Sequence, residues 1–209
     1  MNIENISHLD EVKPVFLYIP DISGFTKFIN NTNLHESKRF VHSLLETIID
    51  SNILNLKVAE ILGDAIVFYS VGTPPSITKL ESQVKKTFLD FQRTIKRLEK
   101  ENDAPKQLPN LTLKIVVHYG EIATTEIKGI NKLIGSDLIL AYRVLKNNIQ
   151  DHEYLLMTQQ YINTQKQSHL EKSFLWSELK DGLDVYESFG TINYKYVLLS
   201  PLIVPIKIS

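Results

Sequence analysis

The sequence predicts an α+β fold, a mostly antiparallel sheet with helices packed on it, and three features carry that expectation. Residues 15–20 (VFLYIP) form a short, continuous apolar run of strand length. The segments KVAEIL and AIVFYS are separated only by Gly63 and Asp64, which is hairpin chemistry. Residues 36–50 and 78–100 place apolar side chains at the helical period, with Phe40, Leu44 and Ile48 on one face of the first and Val84, Phe88, Phe91, Ile95 and Leu98 on one face of the second.

Taken in order, a strand ends at Pro20, and DISGFTKFINN then turns into a short helix. The long helix over 36–50 and the 57–70 hairpin follow, then the helix over 78–100. A polar loop leads to the strand LTLKIVVHY, and Gly120 is expected to allow a tight turn or bulge before EIATTEI. A third helix is expected over 137–148, then the strand EYLLM, an irregular or helical stretch, and a closing hairpin from YESFG and NYKYVLLS. Adjacent strands joined by tight turns favour antiparallel pairing, with the helices covering one face. One domain over residues 1–209 is expected, with a core over about 14–199.

Composition narrows the function classes. The chain is 43% apolar and 22% charged, with a net charge of −1, so neither a nucleic-acid footprint nor a basic membrane patch is expected. The absence of cysteine excludes disulfides, zinc ribbons and thiol nucleophiles and fits a reducing cytoplasm. The first twelve residues do not read as a secretory signal, and the apolar stretch over 196–208 is broken by Pro201 and Pro205 and is too short to span a bilayer. There is no P-loop, dinucleotide fingerprint, hydrolase elbow or zinc-protease motif. His118 reads as a strand histidine with a local hydrogen bond.

Asp21 follows an apolar strand and precedes the small residues Ser23 and Gly24, and Asp64 sits at a hairpin tip. Singly, each is ordinary cap or turn chemistry. If their strands are neighbours, both carboxylates leave one end of one sheet, and magnesium is bound by one or two carboxylates plus substrate phosphates. Backbone N–H groups of Ser23, Gly24, Phe25 and Thr26 at the start of the following helix could take phosphate. A two-metal nucleotidyl transferase and a carboxylate-pair glycosidase are weaker readings of the same pair.

Four blocks, D-I-S-G-F-T, E-I-L-G-D-A-I-V-F, H-Y-G-E-I and I-G-S-D-L-I-L-A-Y-R, resemble in order and spacing the class III adenylate and guanylate cyclases, and most closely a small bacterial branch of that superfamily. The resemblance implies the cyclase catalytic-domain sandwich, ferredoxin-like in topology. It also implies a lyase that converts a nucleoside triphosphate to a 3′,5′-cyclic nucleotide and pyrophosphate with two Mg2+ or Mn2+ ions, at a site shared across a homodimer.

Residue by residue, the resemblance makes Asp21 and Asp64 the metal ligands, joined by the Ile22 carbonyl, and Arg143 the transition-state cation. Glu60 and Lys132 fall at the base-reading positions; a Glu60–Lys132 salt bridge is the plain alternative. By strand alternation Glu60 shares a face with Val58 and Leu62. Two family features are missing. The asparagine one turn before the arginine is Ile139 here, with Asn147, one turn after Arg143, as a possible substitute or else a helix cap. The phosphate-binding lysine has no match: the register gives Ser188 or Phe189, and Lys195 fits poorly. Each loss would slow such chemistry by roughly 10²–10³ if it acts like an oxyanion-hole donor. The resemblance thus leaves a second expectation, a catalytically degenerate cyclase-homology domain that binds nucleotide, metal or protein.

Overall fold

The structure, a computed structural model, describes residues 12–128 and 130–203. Its centre is strand β1 (Lys13–Ser23), whose residues from Val15 to Ile22 are all buried. Helices α1 (Phe25–Asn30) and α2 (Leu34–Asp50) follow, then the hairpin β2 (Lys57–Leu62) and β3 (Ala65–Val71), and the long helix α3 (Ile77–Leu98). Strand β4 (Thr112–Ile127) folds back as a hairpin arm with β5 (Ile130–Ile134), and α4 (Ser136–Val144) comes next. Strand β6 (Tyr154–Thr158), the short helices α5 (Gln159–Ile162) and α6 (Gln167–Leu170), and the hairpin β7 (Lys180–Tyr186) and β8 (Gly190–Leu198) complete the described chain.

The sheet runs β2-β3-β1-β4-β6-β8-β7, with β5 attached to β4, and every neighbouring pair is antiparallel except β4 with β6. The main core lies on one face, where Phe16, Tyr18, Phe68 and Val117 meet Phe40 and Leu44 of α2 and Phe88 and Phe91 of α3. The amphipathic period of α2 and α3 therefore does what it predicts.

Helices do not cover one face only. Helix α4 packs on the opposite side, with Leu138 and Ala141 against Val15, Leu17, Ile19 and Val67, and Leu140 and Val144 against Val116, Tyr154 and Leu156. A central strand such as β1 is buried on both faces, so its unbroken apolar run has no polar side to betray which face lacks helices.

Three local readings change with the structure. The first strand passes through Pro20 and ends at Ser23, so Asp21 lies inside it. Proline has no N–H to give, and the β1–β3 pairing is interrupted between Tyr18↔Phe68 and Asp21↔Ala65. Gly120 makes no turn; β4 runs straight through it. A Cβ there would lie 2.2 Å from Cγ of Asp137, so the glycine serves the close approach of α4. Helix α4 stops at Val144, short of residue 148, and the INKLI strand was not anticipated at all. Among the described residues, no helix is long and apolar enough to cross a membrane.

Candidate metal and nucleotide site

Asp21 and Asp64 come together at one end of the β1–β3 pair. Asp21 stands opposite Ala65, and the Ile22 N–H donates to the Asp64 carbonyl at 3.2 Å, which pins the hairpin tip to β1. The Gly63–Asp64 turn uses a glycine at φ 65°, the left-handed conformation a two-residue hairpin needs. Burial first, and then the neighbouring Asp21 charge, push the Asp64 carboxyl up to about 6.

A third residue, not singled out from the sequence, completes this centre. Lys114 of β4 pairs with Asp21 across the strands, and its Nζ lies 3.0 Å from Oδ2 of Asp21 and 3.1 Å from the Leu145 carbonyl. Its signal was available: a lysine between Leu113 and Ile115, both fully or almost fully buried, is an odd place for a charge without a partner.

Two carboxylates forced together, one held protonation-prone and the other already carrying an ammonium, form a setting that a divalent cation fits. Among the described residues, no group of three or more His, Cys, Asp or Glu gathers. The chain's share would be the two carboxylates, with phosphates completing the shell, as magnesium sites commonly are.

Of the segment 23–26, Ser23 and Gly24 border a cavity of about 390 Å³ that also reaches Lys27, Asn110 and His152. Gly24 sits at φ 86° ahead of α1, and a Cβ there would meet the Asn110 carbonyl at 3.0 Å. The Ser23 hydroxyl donates to the His152 carbonyl at 3.1 Å.

The base-reading candidates meet each other. Lys132 Nζ lies 2.9 Å from Oε2 of Glu60, and the Tyr142 hydroxyl donates to the other carboxylate oxygen. Burial alone would raise the Glu60 carboxyl, but Tyr142 and Lys132 outweigh it and hold it below the usual carboxylate range. A β-bulge between Val58 and Glu60 sets Glu60 opposite Val67, on the α4 side, while Val58 stands opposite Phe68 of the main core. Simple alternation from Val58 to Glu60 therefore fails, and of Val58 and Leu62 only Leu62 shares the face of Glu60.

Arg143 follows Tyr142 on α4 and is exposed, with no carboxylate partner among the described residues. Ile139, one turn earlier, is 51% exposed. Asn147 does not join them. Because α4 ends at Val144, Asn147 lies beyond the helix; its amide N–H donates to the Val144 carbonyl and the Tyr154 hydroxyl, both at 2.8 Å, and its oxygen accepts from the Ile149 N–H at 3.0 Å. It caps the helix end. Lys195 is paired with Asp181 on β7. His118 is fully buried, 2.9 Å from the Thr158 hydroxyl and 3.2 Å from Asp137, which also accepts from the Glu121 N–H at 2.7 Å. This network ties the start of α4 to β4.

A family model described as "Protein of unknown function (DUF2652)" matches residues 41–154, more than half of the chain. The chain belongs to this family. Within the DUF2652 match lie Asp64, Glu60, Lys114, Lys132 and Arg143, whereas Asp21 precedes it. The uncharacterized protein Rv2561/Rv2562 of Mycobacterium tuberculosis is 35% identical over 123 residues, which cover 55% of this chain and 55% of that relative.

Solved structures resemble this DUF2652 chain in fold. The adenylyl cyclase CyaB from P. aeruginosa matches with a TM-score of 0.70 at 12% identity, over 90% of this chain and 95% of that one. The guanylyl cyclase Cya2 matches with a TM-score of 0.66 at 15% identity, over 90% and 93%. A class III adenylyl cyclase-like ATP-binding protein from Pseudomonas aeruginosa matches with a TM-score of 0.63 at 17% identity, over 76% of this chain and 36% of that one. The fold is that of the class III cyclase catalytic domain.

Proposed function

We propose that this chain is a nucleotidyl cyclase that works as a homodimer, closing a nucleoside triphosphate to its 3′,5′-cyclic monophosphate with release of pyrophosphate. The observation that carries the reading is the Asp21–Asp64 pair on a cyclase fold with Lys114 seated against it. Mg2+ or Mn2+ would be held by these carboxylates and the Ile22 carbonyl, and supplies neutralisation of phosphate charge when bound.

The chain's own residues divide the remaining work. Lys114 can turn from Asp21 to a phosphate oxygen, since its ammonium has three donors and a flexible stem. Backbone N–H groups over 23–26 can hold the far phosphates. Glu60, Lys132 and Tyr142 offer the base a carboxylate, an ammonium and a phenol oxygen from one cluster. Arg143 projects outward from α4, so it serves phosphates held on the aspartates of a second copy. The half-exposed Ile127, Ile134 and Ile139 supply apolar surface for that contact.

Incubation with each of the four nucleoside triphosphates and manganese tests the proposal. A cyclic product with stoichiometric pyrophosphate is expected from at least one of them. No product from any of them would remove the cyclase reading.

Ile139 favours a second reading. An exposed isoleucine where the family has its asparagine cannot donate a hydrogen bond, so the domain could bind nucleotide without turning it over. Calorimetry with magnesium and a non-hydrolysable triphosphate separates the two: saturable binding with no product from the natural triphosphates assigns the binding role.

A further inference from the structure

We propose that Asp184, on the edge strand β7, is a positioning residue for Lys114: through Asn148 it fixes the segment that follows α4, and the Leu145 carbonyl of that segment holds the Lys114 ammonium against Asp21.

Asp184 is 4% exposed, and the donors to its carboxylate are all neutral. A buried carboxylate is costly unless it is well hydrogen-bonded. The Tyr194 hydroxyl donates to Oδ2 at 3.0 Å. The other donors belong to one residue. The Asn148 backbone N–H reaches Oδ2 at 3.2 Å, and its side-chain amide donates to Oδ1. Asp184 thus grips Asn148 by main chain and side chain together.

Asn148 lies in the irregular stretch between α4 and β6, and this stretch is tied to three strands. Lys114 of β4 donates to the Leu145 carbonyl at 3.1 Å, the Asn147 amide donates to the Tyr154 hydroxyl of β6 at 2.8 Å, and Asn148 meets Asp184 of β7. The Lys146 N–H donates to the Arg143 carbonyl at 2.9 Å and continues the last turn of α4. Leu145 is therefore fixed from α4 on one side and from Asn147 and Asn148 on the other. If its carbonyl strays, the ammonium keeps Asp21 alone, at the end of a flexible stem.

The order β4-β6-β8-β7 puts three strand spacings, about 14 Å, between the strands of Lys114 and Asp184. Changes that far apart are additive unless something joins them. The link stands apart from the cyclase reading; its consequence for metal rests on the carboxylate centre proposed there.

Double-mutant cycles by chemical denaturation of the full chain in EDTA test the link. The factor by which K114M lowers the folding equilibrium constant should shrink about threefold or more in N148A, and likewise in D184N. N148A changes an exposed residue and no charge, so its coupling is not a direct charge effect. D181N removes an exposed carboxylate from the same strand and should leave the K114M factor unchanged. Mn2+ should also raise the melting temperature of N148A more than that of the native chain, because a loosened ammonium competes less for Asp21, and N148A should add nothing in the K114M background. Additivity of K114M with both N148A and D184N would overturn the proposal and leave Asp184 as an inward charge that protects a sheet edge. Equal coupling with D181N would overturn it too. Where the native chain responds to Mn2+, an equal response from N148A would do the same. No Mn2+ response from any of these proteins would instead remove the metal site, with the EDTA cycles still deciding the link.

Discussion

The ammonium of Lys114 sits 3.0 Å from the carboxylate of Asp21, so the protein already supplies one positive charge where a metal ion would have to bind. Both side chains are largely buried, at 22% and 12% exposure, so solvent does little to screen the pair. The Lys114→Met variant leaves two crowded carboxylates without their cation. It should lose about 2 kcal/mol of stability in EDTA. It should also gain more melting temperature on adding Mn2+ than the native chain does. Thermal denaturation with and without metal checks both, and an equal Mn2+ shift in the two proteins would refute a shared locus.

The Asp64 carboxyl gives a pH signature. Its folded value of about 6 stands above the ordinary 3.8, so the fold favours the protonated form. Its contribution to stability is present below the ordinary value and is lost as pH rises through about 6. Asp64→Asn removes the ionised group, and near neutral pH it should raise stability by about 1 kcal/mol after allowance for its partial exposure. For a chain of this size that is about 2–4 °C in melting temperature. The gain should vanish at acidic pH; a gain constant across the pH range would show that charge is not its source.

Tyr142 and Glu60 form a coupled pair. Tyr142→Phe removes the donor to one Glu60 oxygen and should cost about 1 kcal/mol, while the Glu60 carboxyl moves up toward the usual range. A double-mutant cycle with Glu60→Gln should return a coupling of about 1 kcal/mol. Additive losses would mean that the two groups do not cooperate.

Gly120 and Asp137 test how α4 is seated. Gly120→Ala puts a methyl group where Asp137 Cγ lies 2.2 Å away and should cost about 3 kcal/mol. Asp137→Ala vacates that space, so the double variant should be more stable than the sum of the single losses requires. Chemical denaturation of the four proteins decides it, and strict additivity would show that the added methyl group does not meet Asp137.

Much of this was legible because its physics is local. The Gly63–Asp64 turn fixed the hairpin and the place of Asp64, and the periods of α2 and α3 announced the main core. The illegible parts depend on partners distant in sequence. Pro20 reads as a stop until β4 is known to hold β1 by its other edge through Ser23. The need for glycine at position 120 belongs to Asp137, and the fate of Asn147 follows from Tyr154. Lys114 escapes notice although a charge is odder on β4, between the buried Leu113 and Ile115, than on β2, none of whose residues is buried.

The bulge in β2 leaves Ala59 as a supernumerary residue between two regular pairs, Val58↔Phe68 and Glu60↔Val67. Excising it would make the ladder continuous without moving Glu60 from its partner, yet it would straighten the strand that walls a hollow of about 560 Å³. A single residue gained or lost at this point therefore reshapes the wall of that hollow, while the pairing of Asp21 with Ala65 lies beyond its reach.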